Sequence, residues 1–189
     1  MNKRALSISL LFAGLFSLSG CSTTTGEPAT PEARRASIDA SVDEALGQLY
    51  AQVKGSKEMV DKSRGVLVFP KVVAAGLVVA GSHGDGALRR TAFKTDYYST
   101  SSASVGLTVG AQSKAVYVLF LTDEAMDKFI KGDGWTAGVD ANVALLKVGT
   151  DGSVDIATAR APVVGFVLTN GGLMANLSLE GTKVKKLML

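Results

Sequence analysis

The chain has 189 residues, 47% of them hydrophobic and 20% charged, so it can bury a core and is not intrinsically disordered. One cysteine and one histidine exclude an internal disulfide framework and the common Cys/His zinc sites, so we expect neither metal nor cofactor. The formal charge of +3 includes Lys3 and Arg4, and the remainder is nearly neutral, which argues against nucleic-acid binding.

The N-terminus is typical of an export signal. A basic start precedes an uncharged segment over 5–18, which as a helix would span about 21 Å, less than a hydrocarbon core of about 30 Å. The segment ends in Leu18-Ser19-Gly20-Cys21, which resembles the bacterial lipoprotein box. We expect a lipoprotein signal peptide over 1–20 and acylation of Cys21, with an ordinary signal peptide as the alternative. Ser22 favours the outer membrane by resemblance to sorted lipoproteins.

A tether and an amphipathic helix are predicted next. Small polar residues and two prolines over 21–34 indicate a flexible tether from the lipidated cysteine, which leaves 35–189 for the folded domain. A helix is predicted from about 33 to 54, ended by Gly55, with a short second helix over 56–62. The apolar face of the first helix is expected to pack in the core and not on a membrane surface, because the polar face of that helix has few basic residues. The apolar face consists of Ile38, Val42, Leu46, Leu49 and Val53.

From Gly65 onward, short apolar runs alternate with turn residues. The first run is expected to stop at Pro70, and Gly81–Gly86 to form a hairpin turn. Helical signals between Thr122 and Gly132 predict one inserted helix. The single tryptophan, Trp135, is expected to pack over the end of this helix, with anchoring at a membrane or a partner as the alternative. The predicted strands cover 66–69, 76–80, 87–93, 103–112, 115–121, 138–148, 154–159, 163–169 and 173–179.

These elements predict an α+β fold. An N-terminal amphipathic helix, or two helices, precedes a mostly antiparallel, glycine-rich β-barrel or sandwich of about eight to nine strands with one inserted short helix. The many glycines within strand regions indicate strong bending or close backbone packing.

Catalytic chemistry has little support in the sequence. His83 and Asp85 lie in the predicted turn and could do acid–base work, but no nucleophile is marked beside them. The serine-rich tract over 99–104 predicts a polar edge or loop, and no Gly-x-Ser-x-Gly elbow occurs. We therefore expect a protein that is not an enzyme, with a hydrolase as a remote alternative.

Basic side chains form the candidate lipid-binding set. Two weak clusters lie around one strand and near the C-terminus, where Lys183 and Lys185 would share a strand face. Such clusters could bind anionic lipid head groups, or they could protect a strand edge from aggregation. The candidate residues are Lys71, Arg89, Arg90, Lys94, Lys183, Lys185 and Lys186.

Several ordered motifs resemble the SYLF domain. Ser63–Val72 matches its opening, with an apolar run ending in Phe-Pro, and Gly76–Gly86 matches its glycine-rich hairpin. Ser104–Gln112 and Gly138–Ala141 continue the match, and Gly172–Gly181 is similar to its closing segment. The resemblance covers about 40–186. Two stretches differ from the family pattern, Arg89–Lys94 and Leu145–Lys147.

The resemblance implies a binding function. The family includes eukaryotic lipid-binding and actin-regulating proteins and many bacterial lipoproteins, and it brings no catalytic residues. We expect an envelope protein held at a membrane through Cys21, whose domain binds anionic phospholipid or a similar amphipathic ligand. Actin is not an expected partner for an exported chain. A structural module that docks on another envelope protein or self-associates is the alternative.

Overall fold

The computed structural model describes residues 30–76, 79–105, 111–132, 134–146, 161–169, 172–173 and 179–189. Cys21, the predicted signal peptide and the strand predicted over 154–159 lie outside the described residues. No helix within the described ranges is long and apolar enough to cross a bilayer. The elements are helices α1 (Pro31–Gln52), α2 (Ser56–Lys62) and α3 (Asp123–Lys131) and strands β1 (Gly65–Gly76), β2 (Val79–Arg89), β3 (Asp96–Val105), β4 (Ala111–Phe120), β5 (Trp135–Thr136), β6 (Ala144–Leu145), β7 (Val163–Thr169), β8 (Gly172–Leu173) and β9 (Lys183–Lys186).

Helix α1 begins earlier than the sequence pattern predicts. The Thr30 hydroxyl accepts a hydrogen bond from the Ala33 backbone N–H, and Pro31 supplies a preset helical φ at the first turn. The first turn of α1 therefore lies in the stretch expected to be tether. At the other end, Gly55 has a left-handed φ of +80° and precedes α2.

The apolar stripe of α1 is a core face, as predicted. Ile38, Val42, Ala45 and Leu49 are buried against one side of the sheet. The Tyr117 hydroxyl donates to the Ala45 carbonyl across this contact, and burial raises the Tyr117 pKa to about 12. The helix is thus fixed to the sheet by both packing and a buried hydrogen bond.

The strands form one curled half-barrel sheet. Their order is β5-β9-β3-β2-β1-β4-β7-β6, and β8 pairs with β7. All pairs are antiparallel except β6 with β7. With one long N-terminal helix and the inserted α3, this arrangement confirms the predicted α+β class.

Strand β1 does not stop at Pro70, contrary to the prediction. It continues to Gly76. The register is irregular between Phe69 and Val72 against β4, and between Val68 and Val73 against β2. Pro70 lies within this irregularity, so no regular ladder hydrogen bond from its backbone nitrogen is needed. A bulge is one of the few strand positions that accommodate proline.

The predicted hairpin turn over Gly81–Gly86 is also wrong. These residues form the interior of β2, where Gly84 pairs with Thr100. A Cβ atom at Gly86 would lie 2.0 Å from the Val68 carbonyl oxygen, so the glycine permits a close approach to β1. Glycine marks tight backbone packing at this position and not a turn.

Three further predictions, two of strands and one of a polar edge or loop, differ from the structure. The run predicted over 87–93 ends at Arg89, and residues 90–95 form a loop. The serine-rich tract over 99–104 is not an edge or loop but lies in β3, paired with β2 on one side and with β9 on the other. Only Ala144–Leu145 of the strand predicted over 138–148 is strand among the described residues.

Helix α3 and Trp135 follow the sequence expectation. The Thr122 hydroxyl accepts from the Ala125 N–H, and Phe129 faces inward. Trp135 is buried with its ring centroid 5.8 Å from that of Phe129 and 6.4 Å from that of Phe120, in edge-on geometry. These aromatic rings fill the side of the sheet opposite α1.

Candidate functional site

Rows of polar side chains cross three neighbouring strands on the α1 side of the sheet. Lys183 on β9 lies opposite Ser101 on β3, which lies opposite His83 on β2. Paired residues of antiparallel strands point to the same face, and neighbouring strands lie about 4.8 Å apart. The next row contains Lys185, Ser99 and Asp85.

The N-terminal half of α1 adds a second layer of charge. Arg34 approaches Asp85 with its Nη2 atom 2.7 Å from Oδ2, and it lines an open groove of about 260 Å³ together with Lys71. Ser37 and Ser41 of α1 also line this groove. The groove thus joins the start of α1 to the bulge of β1.

Five side chains form one surface, which we call the basic sheet face: Arg34, Lys71, His83, Lys183 and Lys185. All five are exposed, and His83 retains 68% of its side-chain exposure. Among the described residues, Asp85 is the carboxylate that lies within this surface. The arginine and the three lysines together supply four permanent cations, which outnumber that one carboxylate.

Only part of the candidate set from the sequence lies on this face. Lys71, Lys183 and Lys185 belong to it, and no ion pair of theirs is found within the described ranges. Lys94 lies on the loop after β2, next to the exposed Phe93. The sequence indicated the β9 lysines correctly as neighbours on one strand face.

The other three candidates are engaged in internal ion pairs. Arg90 and Lys186 both approach Asp96, at 2.8 Å from each nitrogen to a carboxylate oxygen. Arg89 contacts Asp39 and Asp43 of α1 at 3.2 and 3.0 Å. The ion pairs of Arg89 connect β2 with α1, and that of Lys186 connects β9 with β3. The three side chains therefore stabilise the fold through partners within the domain.

Arg34 is the residue that sequence reasoning missed. It lies where the predicted tether (21–34) and the predicted helix (about 33–54) overlap, and its place on the face becomes evident only from its contact with Asp85. The signal was present as Thr30 followed by Pro31, which is a common start of a helix.

The surroundings of His83 give no support to hydrolysis. Ser82 points to the opposite side of the sheet, where its hydroxyl lies 2.6 Å from that of Ser102. His83 and Asp85 share the other side, with Nε2 and Oδ1 3.5 Å apart. No group of metal-binding side chains occurs among the residues that the structure describes.

On the side of the sheet opposite α1, an open groove of about 310 Å³ lies beside Gly138 and Glu180, and a smaller cleft lies next to Trp135. That cleft encloses about 20 Å³, enough for one water-sized group but far less than an acyl chain needs. Lys114 lines this cleft, and burial lowers its pKa. The cleft next to Trp135 therefore does not enclose an acyl chain, and the groove beside Gly138 is open to solvent.

The curled half-barrel sheet, the helix α1 packed on it and the exposed basic sheet face make up a small α+β domain. Residues 101–187 match the sequence model of the Ysc84 family, described as Las17-binding protein actin regulator. This match confirms the resemblance to the SYLF domain over residues 101–187, and the domains of that family are generally non-enzymatic binding domains. No curated protein compared with the chain matches it. The match includes β9 but not α1, β1 or β2.

Proposed function

We propose that this protein is a lipid-anchored component of the bacterial outer membrane, whose SYLF domain binds anionic phospholipid through the basic sheet face without catalysis. The observation that supports it most is the excess of exposed cations on one side of a sheet in a family of lipid-binding and actin-related modules. Actin plays no part in this proposal, because an exported, anchored chain would not meet it.

The position of the predicted anchor, Cys21, agrees with this proposal. The chain between Cys21 and Thr30 can extend to at most about 30 Å. Acyl chains on Cys21 would therefore keep the start of α1 within about that distance of the bilayer. Arg34 lies one turn into α1, so the basic sheet face begins where the tether ends.

The chemistry of the face suits a membrane surface. Ser99 and Ser101 are small, so the lysine and histidine side chains can extend beyond them without steric obstruction. A cation near an anionic bilayer contributes about 1 kcal/mol of attraction, and several of them together give useful affinity. The one carboxylate on the face, Asp85, is paired with Arg34 and repels little.

The alternative function is docking on another envelope protein. Phe93 supports it, because its ring is 66% exposed on the loop after β2 and lies 4.6 Å from the guanidinium carbon of Arg90. A single exposed aromatic ring is common on protein surfaces, whereas the basic sheet face is a group of residues, so lipid binding is the better supported function.

Sedimentation with vesicles tests the proposal. We expect a chain of residues 22–189, which lacks Cys21, to pellet with phosphatidylglycerol vesicles at low salt and to be released at high salt. The double substitution Lys183→Gln and Lys185→Gln should weaken binding about 30-fold, since two cations are lost. The longer fragment is preferable to 35–189, which would cut the first turn of α1.

The matched control removes two lysines from the opposite side. Lys128 and Lys131 lie on α3, which packs against the other face of the sheet. Lys128→Gln with Lys131→Gln changes the net charge equally and should weaken binding by less than about threefold. Equal loss in both double variants would contradict a specific face, and no binding of the unsubstituted chain at any salt concentration would contradict lipid binding.

A further inference from the structure

Asp85 has two carboxylate oxygens in different situations. Oδ2 accepts a hydrogen bond from Arg34 at 2.7 Å. Oδ1 is buried and has no hydrogen-bond partner within the described part of the chain. The Nε2 atom of His83 lies 3.5 Å from Oδ1, so a small side-chain movement would bring a proton on that nitrogen into bonding distance.

His83 is the single histidine of the chain. Imidazole is the side chain that ordinarily changes charge between pH 5 and 8, whereas lysine, arginine and aspartate do not. His83 pairs with Val73 on β1 and Ser101 on β3, and its nearest charged group is Asp85 on its own strand. Arg34 on α1 and Lys71 on β1 lie beyond Asp85, and Lys183 on β9 lies beyond Ser101, all on the same side of the sheet.

We propose that protonation of His83 strengthens the binding of the basic sheet face to anionic phospholipid, so that membrane affinity rises as the pH falls from 7.5 to 5.5. This inference rests on the proposed function and concerns the regulation of the same surface.

Two effects act in the same direction. The imidazolium adds one positive charge to a face that already carries four permanent cations, and an anionic bilayer attracts each cation. It also donates a hydrogen bond to the unpartnered Oδ1 of Asp85, which holds the ring against the sheet and further offsets the carboxylate. Proton uptake is therefore favoured in the membrane-bound state, and by linkage low pH favours binding.

Vesicle binding at two pH values tests the inference. Phosphatidylglycerol vesicles are suitable, because their phosphate does not titrate between pH 5.5 and 7.5. The chain of residues 22–189 should bind about fivefold more tightly at pH 5.5 than at pH 7.5. His83→Gln should bind with equal affinity at both pH values, near the weaker wild-type value.

A second substitution supplies the opposite case. His83→Lys places a permanent cation at the same position, so it should bind with near the stronger wild-type affinity at both pH values. A pH dependence that persists in His83→Gln would overturn the inference, as would binding of the wild type that does not change with pH. Absence of binding at both pH values would instead contradict the proposed function itself.

Discussion

Gly86→Ala is expected to lower the free energy of unfolding by about 4 kcal/mol or more, a large part of the 5–15 kcal/mol typical of a domain. The added Cβ would lie 2.0 Å from the Val68 carbonyl oxygen and 2.7 Å from Cδ1 of Phe69. Relief requires separation of β1 from β2 at the centre of the sheet, because the nearest obstacle is backbone. Urea unfolding of residues 22–189 followed by circular dichroism measures the change.

Gly81→Ala is the matched control on the same strand. A Cβ at Gly81 would meet nothing within 4 Å, so alanine should be neutral or stabilise the strand by about 0.5 kcal/mol. If Gly86→Ala unfolds within about 1 kcal/mol of the unsubstituted chain, the close approach of β1 and β2 is not a feature of the folded protein.

Cys21→Ser in the full-length chain is expected to move the protein from the membrane fraction to the soluble fraction of a Gram-negative host. Each methylene of an acyl chain buried in lipid contributes about 0.8 kcal/mol, so loss of several chains removes a lasting anchor. Fractionation after a high-salt wash measures the effect, since the wash removes protein held by charge alone.

Thr23→Ser, two residues away in the predicted tether, should leave the protein in the membrane fraction. Mass spectrometry of the N-terminal peptide reports acylation directly in both variants. Membrane attachment of Cys21→Ser that withstands the salt wash would contradict the lipid anchor, as would an unmodified Cys21 in the unsubstituted chain.

The helices were the part of the fold that the sequence predicted best. Helical caps are local, so Thr122 identified the start of α3 from a few neighbouring residues. The stripe that includes Val42 and Leu49 likewise identified the buried face of α1, because its spacing depends on helical geometry alone.

The strands were harder to place, for a reason visible at Pro70 and Gly86. Both residues usually indicate that a strand ends, and here both lie within strands. Pro70 occupies a register irregularity, and Gly86 is required by a backbone atom of Val68, far away in sequence. Neither circumstance can be inferred from local pattern, because each depends on the neighbouring strand.

The candidate site was predicted in part. Alternation along a strand placed Lys183 and Lys185 together, and the structure has them on one face. Charge alone did not distinguish them from Arg89 and Arg90, whose partners on α1 and β3 appear only in the folded chain. Free cations and paired cations look alike in a sequence.

The most direct test of the proposed function asks which side of the sheet contacts the membrane. Residues 22–189 contain no cysteine, so Ser101→Cys accepts one environment-sensitive fluorophore between Lys183 and His83 and leaves every cation of the basic sheet face in place. Lys131→Cys places the same fluorophore on the opposite side, on α3. With phosphatidylglycerol vesicles, the fluorophore at position 101 should shift to the blue and be quenched by a quencher embedded in the bilayer, while the fluorophore at position 131 should not change. A response at position 131 without one at position 101, in protein that binds the vesicles, would contradict membrane binding through the basic sheet face.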